Sequence, residues 1–156
     1  MAADVGTAAP EFTLDGSDGS EAGRRSYSLS DYRGQVVVLV FYPGDNTPVC
    51  TRQLNAYTED IDSFEEAGAQ VLAISPQSVQ SHDDFSCKQG GFAFPLLADS
   101  DKSVGESYGI LGPLGFYRRS AFVVDGDGIV RYAHRAVAGL TFRSTNELVE
   151  AVKAAK

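Results

Sequence analysis

The longest uninterrupted apolar stretch is Val36-Val37-Val38-Leu39-Val40-Phe41-Tyr42. A continuous, mostly β-branched run of this length predicts a strand buried on both faces. Gln70–Ser75 has the same character. Ala121–Val124 and Ile129–His134 flank Asp125-Gly126-Asp127-Gly128 and predict a hairpin. Ala93–Leu97 is too short for the pattern to decide. Near the N-terminus, two short extended pieces, Glu11–Leu14 and Tyr27–Leu29, are separated by the polar, Gly/Ser-rich, turn-forming segment Asp15–Tyr27.

Helical spacing fills the intervals. Leu54, Tyr57, Ile61 and Phe64 recur three and four residues apart. One apolar stripe therefore predicts a single helix from about Cys50 to Ala67, closed by Gly68. Ser78–Lys88 is a second helix, stopped by Gly90-Gly91, and Asp101–Tyr108 is a third. Ser144-Thr145-Asn146-Glu147 fits a capping box that opens a last helix toward the C-terminus. Helices crossing between apolar strands imply parallel pairing, and the hairpin adds an antiparallel pair. The expected class is α/β, a mixed central sheet with helices on both faces.

The 156 residues, 43% of them apolar and 22% charged, suit one globular domain spanning residues 1–156, with a core that needs no disulfide staple. No internal repeat is evident. The net charge of −8 argues against nucleic acid or an anionic membrane as partner, since both need a basic footprint. Residues 1–10 lack the basic start and apolar run of a secretory signal, and Val36–Tyr42 is too short to span a bilayer. A cytoplasmic location is therefore expected. Two cysteines in that compartment suggest redox chemistry or simple burial in preference to a structural bridge.

Cys50 is the candidate nucleophile. A buried strand ends at Tyr42, a loop containing Pro43 and Pro48 follows, and Cys50 falls in the first turn of the next helix. Unpaired N–H groups and the positive end of the helix dipole converge there, which favours a thiolate. On a helical projection Cys50 lies within ~40° of Leu54 and ~20° of Ile61, so it points with the apolar stripe, and Arg52 points away. Free cysteine is also among the most buried residue types. Position alone leaves both readings open.

Around Cys50 the residues Pro43-x-x-x-Thr47-x-x-Cys50, within FYPGDNTPVCT, match the active-site motif of the peroxiredoxins. The chain resembles their bacterioferritin comigratory protein, or Q-type, subfamily. The likeness runs from Ala9-Pro10-Glu11-Phe12-Thr13-Leu14 through Leu29-Ser30-Asp31-Tyr32-Arg33-Gly34 and Phe94-Pro95-Leu96-Leu97-Ala98-Asp99 to Arg119-Ser120-Ala121-Phe122-Val123-Val124-Asp125. It implies a thioredoxin-like fold, which the element order suits. It also implies that Cys50 attacks the peroxide and becomes a sulfenic acid. By the same resemblance Thr47 bonds the thiolate and the peroxide, Pro43 shields the pocket from water, and Arg119 stabilises the thiolate and polarises the O–O bond. Arg118 competes for the last role. Adjacent strand residues face opposite ways, so only one enters the pocket, and Arg119 is chosen because it directly precedes the strand in the family pattern. Val49 stands where many members have glycine.

Many Q-type members carry a resolving cysteine five residues after the first, where this chain has Asn55. A second group carries it on a later helix, and by resemblance to that group Cys87 is the resolving residue. Cys87 lies ~200° from Phe85 around its helix, so it is expected to point away from the core, with Lys88 beside it. The alternative is an inert helical cysteine in a one-cysteine peroxidase. His82 and His134 lack metal-ligand companions at useful spacing and read as surface or structural. Tyr42 either lines the pocket or is a core tyrosine with its hydroxyl satisfied.

The implied function is reduction of hydrogen peroxide and organic hydroperoxides, with turnover by thioredoxin or a similar dithiol reductant and no cofactor or metal. A thioredoxin-fold disulfide oxidoreductase is disfavoured, because Cys50 is followed by Thr51, Arg52 and Gln53 and not by C-x-x-C. A non-catalytic binding protein on the same fold would not need the Pro/Thr/Cys/Arg set. A monomer is expected.

Overall fold

A computed structural model describes residues 3–18, 24–112, 115–136 and 142–156. Seven strands form one mixed sheet: β1 (Thr13–Ser17), β2 (Arg25–Ser28), β3 (Val36–Phe41), β4 (Ala69–Ser75), β5 (Leu96–Ala98), β6 (Ser120–Val124) and β7 (Val130–Arg135). Their order across the sheet is β2-β1-β5-β4-β3-β6-β7. Among the described residues five α-helices accompany them: α1 (Pro48–Glu59), α2 (Ile61–Glu66), α3 (Val79–Lys88), α4 (Ser103–Ser107) and α5 (Thr145–Ala154). Strands β3, β4 and β5 run parallel, and the other pairings are antiparallel. The expected α/β class, mixed sheet and hairpin are all present.

The apolar run of β3 is buried along its whole length because both sheet faces are covered. Its side chains alternate between two cores. Val36, Val38 and Val40 pack with Leu54, Tyr57, Phe64, Phe85 and Leu148, while Val37, Leu39 and Phe41 pack with Tyr108 and Phe122. Each fully buried Leu or Phe contributes about 1.5–3 kcal/mol. The same alternation runs along β6, where Ala121 and Val123 join the first core and Phe122 and Val124 the second.

Two helical predictions need correction. The helix expected from Cys50 to Ala67 is two helices, beginning at Pro48 and broken at Asp60. Asp60 leaves helical geometry (φ −98°, ψ 17°), ending α1 through its N–H on Ala56 O and starting α2 through its carbonyl to Ser63 N. The stripe survives the break, with Leu54, Tyr57 and Phe64 buried and Ile61 packed at the margin. The helix expected over Asp101–Tyr108 is only Ser103–Ser107, because Lys102 is left-handed (φ 62°) and Asp101 turns back to cap Ser103 N. The extended pieces near the N-terminus are true strands, so the turn-rich excursion is shorter than Asp15–Tyr27. Its residues 19–23 lie outside the described ones. The undecided Ala93–Leu97 piece becomes the three-residue β5. No helix among the described residues is long and apolar enough to cross a membrane.

Close approach fixes one glycine. A Cβ on Gly16, opposite Leu97 in the β1–β5 ladder, would lie 2.5 Å from Leu97 Cδ2 and 2.8 Å from the Leu96 carbonyl oxygen. Gly16→Ala is expected to lower stability by about 1–3 kcal/mol through overpacking. Urea unfolding checks this, and an unchanged midpoint would show that the β1–β5 contact spreads freely.

Candidate active site

The site grows from the C-terminal end of β3. Chain leaves the sheet at Phe41, and Tyr42 still donates its N–H to Ile74 O at 3.0 Å. Pro43 is half-buried and Gly44 follows. Thr47 is the extended N-cap of α1 (φ −91°, ψ 149°), and Pro48 takes the first helical position, where a missing N–H costs no hydrogen bond. Cys50 is the third residue of the helix, fully buried, and belongs to the same core as Leu54 and Tyr57. Arg52 is exposed on the opposite side, as its helical position requires.

Sheet parity brings the arginine. Phe41 pairs with Ser120 across the antiparallel β3–β6 ladder, so the residue preceding Ser120 lies beside the start of the loop. Arg119 shares parity with Ala121 and Val123, whose side chains face the Cys50 core. Its guanidinium is buried, and Nη2 donates to Cys50 Sγ at 3.2 Å. Arg118 has the opposite parity and lies against Gly112. The choice of Arg119 over Arg118 follows from this alternation.

A further polar chain braces the guanidinium. Arg119 Nη1 donates to Gln53 Oε1 at 2.5 Å, and the Gln53 amide reaches the Tyr57 hydroxyl at 3.5 Å. Tyr57 in turn donates to the Arg143 carbonyl at 2.5 Å. Burial pushes the Tyr57 phenol up to about 12, so it remains a donor through the neutral range. Sequence reading took Tyr57 as an apolar stripe residue and missed Gln53. The available signal was a polar residue three positions after Cys50 on the inward face of the helix.

The remaining expected residues are placed as follows. The Thr47 hydroxyl donates to Gly44 O at 3.1 Å and not to the sulfur, because the N-cap backbone turns it back over the loop. The residue is exposed. Cys87 is exposed on α3, while Phe85 of the same helix is fully buried. Cys50 and Cys87 are free thiols, one inside the fold and one outside. Tyr42 is the core tyrosine of the two readings, its hydroxyl donating to Asp45 Oδ1 at 2.7 Å. Burial raises that phenol well above its ordinary range. Of the two readings of His82, surface or structural, the structural one holds. Its side chain is completely buried, and it is held by Asp45, a residue the sequence reading passed over. His134 is half-buried on β7. Among the described residues no group of three His, Cys, Asp or Glu side chains is placed to hold a metal ion.

The model of the AhpC/TSA family matches residues 5–133, which includes Pro43, Thr47, Cys50, Gln53, Cys87 and Arg119. The chain belongs to the AhpC/TSA family. Within it, the chain is 38% identical over 131 residues to the chloroplastic peroxiredoxin Q of Oryza sativa subsp. japonica, covering 83% of this chain and 58% of the rice protein. It therefore spans less than two thirds of that relative's length. It is 38% identical over 138 residues to a thioredoxin peroxidase of Echinococcus granulosus, covering 84% of this chain and 70% of that protein. The solved structure of Xanthomonas campestris peroxiredoxin Q superposes with a TM-score of 0.80 at 32% identity, covering 92% of this chain and 90% of that one. These similarities support the Q-type subfamily and the thioredoxin-like fold.

The geometry predicts unequal effects for the neighbouring arginines. Arg119→Ala removes the donor on Cys50 Sγ and is expected to slow oxidation of Cys50 by roughly 10²–10³, the usual loss for one preorganised donor on a reacting centre. Arg118→Ala should leave the rate nearly unchanged. Single-turnover oxidation of both variants tests this, and a larger effect from Arg118 would reverse the assignment.

Proposed function

We propose that this chain is a thiol-dependent peroxidase that reduces hydrogen peroxide and organic hydroperoxides. The observation that carries the reading is the buried Arg119 guanidinium donating to Cys50 Sγ at 3.2 Å within the first turn of α1. A fixed cation beside the sulfur favours its thiolate, and the same fork can polarise a peroxide oxygen next to it. The thiolate attacks the terminal oxygen of the hydroperoxide. The O–O bond breaks, Cys50 becomes a sulfenic acid, and the departing alkoxide or hydroxide takes up a proton as alcohol or water. In this reading Thr47 contributes its hydroxyl to the incoming peroxide. Pro43, which has no N–H to compete for the sulfur, borders the site.

Cys87 is the resolving residue in this proposal. Its thiol attacks the Cys50 sulfenic sulfur, water leaves, and a disulfide forms. Thioredoxin or a similar dithiol reductant then returns both cysteines to thiols. A disulfide needs Cα atoms within about 7 Å and converging Cβ vectors. Cys50 is buried and Cys87 exposed, so the first turn of α1 and helix α3 must rearrange between the two steps. The segment around Cys87 is suited to opening. Val79 is only partly buried, Phe85 is the large apolar anchor, and Gly90 and Gly91 end the helix with positive φ. A cytoplasmic monomer acting without metal or cofactor belongs to the same reading.

The test follows mass rather than fluorescence, because the chain contains no tryptophan. Reduced protein is mixed with one equivalent of peroxide, quenched and weighed. The wild type should pass through sulfenate to a Cys50–Cys87 disulfide. Cys50→Ser should reduce no peroxide, since a serine hydroxyl is not ionised at neutral pH. Appreciable turnover by that variant would remove Cys50 from the reaction. Cys87→Ser should keep the first oxidation, lose turnover with thioredoxin, and accumulate sulfinate under excess peroxide. Undiminished cycling of Cys87→Ser would make the enzyme a one-cysteine peroxidase.

A further inference from the structure

The buried charged pair beside the site has no part in the chemistry described above. Asp45 lies in the loop between Pro43 and Thr47, and His82 lies on α3, five residues before Cys87. Both side chains have zero exposure. His82 Nδ1 is 2.8 Å from Asp45 Oδ2, and Nε2 is 2.9 Å from the Leu97 carbonyl oxygen. Nε2 faces the Leu97 carbonyl as a donor and Nδ1 faces the Asp45 carboxyl, so ring and carboxyl are joined through one proton, a geometry that an imidazolium against a carboxylate satisfies. Ser81 Oγ also donates to Asp45 Oδ2, at 2.7 Å, and Tyr42 donates to Oδ1. The loop that covers Cys50 and the helix that carries Cys87 are thus joined through one carboxylate.

A buried ion pair is an uneconomical way to join two segments, because the desolvation of both charges offsets their attraction. It differs from an apolar contact in how it opens. If α3 leaves alone, the Asp45 carboxylate stays inside the protein without its counter-charge. If the loop leaves alone, the imidazolium is stranded. Either half-open state is heavily penalised. When both leave together, both charges regain water. We propose that the Asp45–His82 pair is a positioning device for the resolution step, making the Pro43–Thr47 loop and helix α3 open as one event. The proposal rests on the reading of Cys87 as the resolving residue. A single opening then uncovers the Cys50 sulfenate and frees Cys87 at the same moment. The other polar ties of α3 are less buried. Asp83 meets Arg24 and Ser17 at the far side, and Gln89 accepts from Asn55 of α1 at 3.0 Å.

Asp45→Asn tests the device with little disturbance of shape. The amide can donate to a neutral His82 Nδ1 and to Ser81 Oγ, and its oxygen can still accept from Tyr42, so the contacts persist without charge. Hydrogen exchange on the reduced proteins is the first measurement. In the wild type the amides of residues 44–52 and 79–88 should exchange through one shared opening. In the variant the two segments should separate by about tenfold or more in protection, the factor that about 1.4 kcal/mol of lost coupling gives. Quenched mass spectrometry is the second. Disulfide formation in the variant should slow, and the sulfinate yield under excess peroxide should rise, while the first oxidation of Cys50 is unchanged. Shared opening that persists in the variant would overturn the proposal. So would faster disulfide formation with protection lowered throughout, which is what loss of an ordinary packing contact would give. Failure of the wild type to form a Cys50–Cys87 disulfide would instead refute the role of Cys87, whatever the exchange pattern.

Discussion

The register of β3 against β6 is the constraint on which the site depends. Phe41 pairs with Ser120, and the two strands run antiparallel, so β3 ends where β6 begins. The chain leaving β3 builds the loop and first turn that hold Cys50. The chain entering β6 supplies Arg119 at the same end of the sheet. A slip of one residue would turn Arg119 to the other face and present Arg118 to the sulfur. The ladder is held by an apolar β3 buried on both sides, so the packing that stabilises the domain also sets the register of the chemistry.

Around that register the structure arranges two polar systems of different character. One runs from Cys50 through Arg119, Gln53 and Tyr57 to a backbone carbonyl, and it fixes a cation beside the sulfur. The other runs from Tyr42 through Asp45 to His82 and Leu97, and it ties the loop to α3. Both are largely cut off from solvent, where an unpaired polar atom is expensive. They meet at the short loop that follows β3.

Much of this was legible in the sequence, for identifiable reasons. The run Val36–Tyr42 and the Leu54, Tyr57 and Phe64 stripe are periodic signals that survive any detail of packing. Cys50 was legible because its motif joins a buried strand to a helix start, and the outward placement of Cys87 followed from its angle to Phe85. The break at Asp60 was not legible, because a stripe with spacings of three and four passes through a one-residue interruption without changing phase. Lys102 shortens α4 through a left-handed backbone that no residue type announces. Gln53 was passed over, and His82 was left between surface and structural readings, because polar residues on helices are usually solvated, and only the tertiary partners Arg119 and Asp45 make these two interior. The Thr47 hydroxyl, expected on the sulfur, rests on Gly44 because the cap geometry is set by its own backbone.

The last acceptor in the arginine brace is the main-chain oxygen of residue 143, and its consequence reaches beyond the site. A side-chain acceptor could be lost by one codon change, whereas a carbonyl is supplied by every amino acid. This tie therefore depends on the path of the backbone at residue 143 and not on its side chain. Residue 143 stands one step before Ser144, the cap of α5. Inserting or deleting a residue at this junction would shift a carbonyl that orients Tyr57, Gln53 and finally the guanidinium on Cys50. The C-terminal helix thus acts as a ruler for the reaction centre.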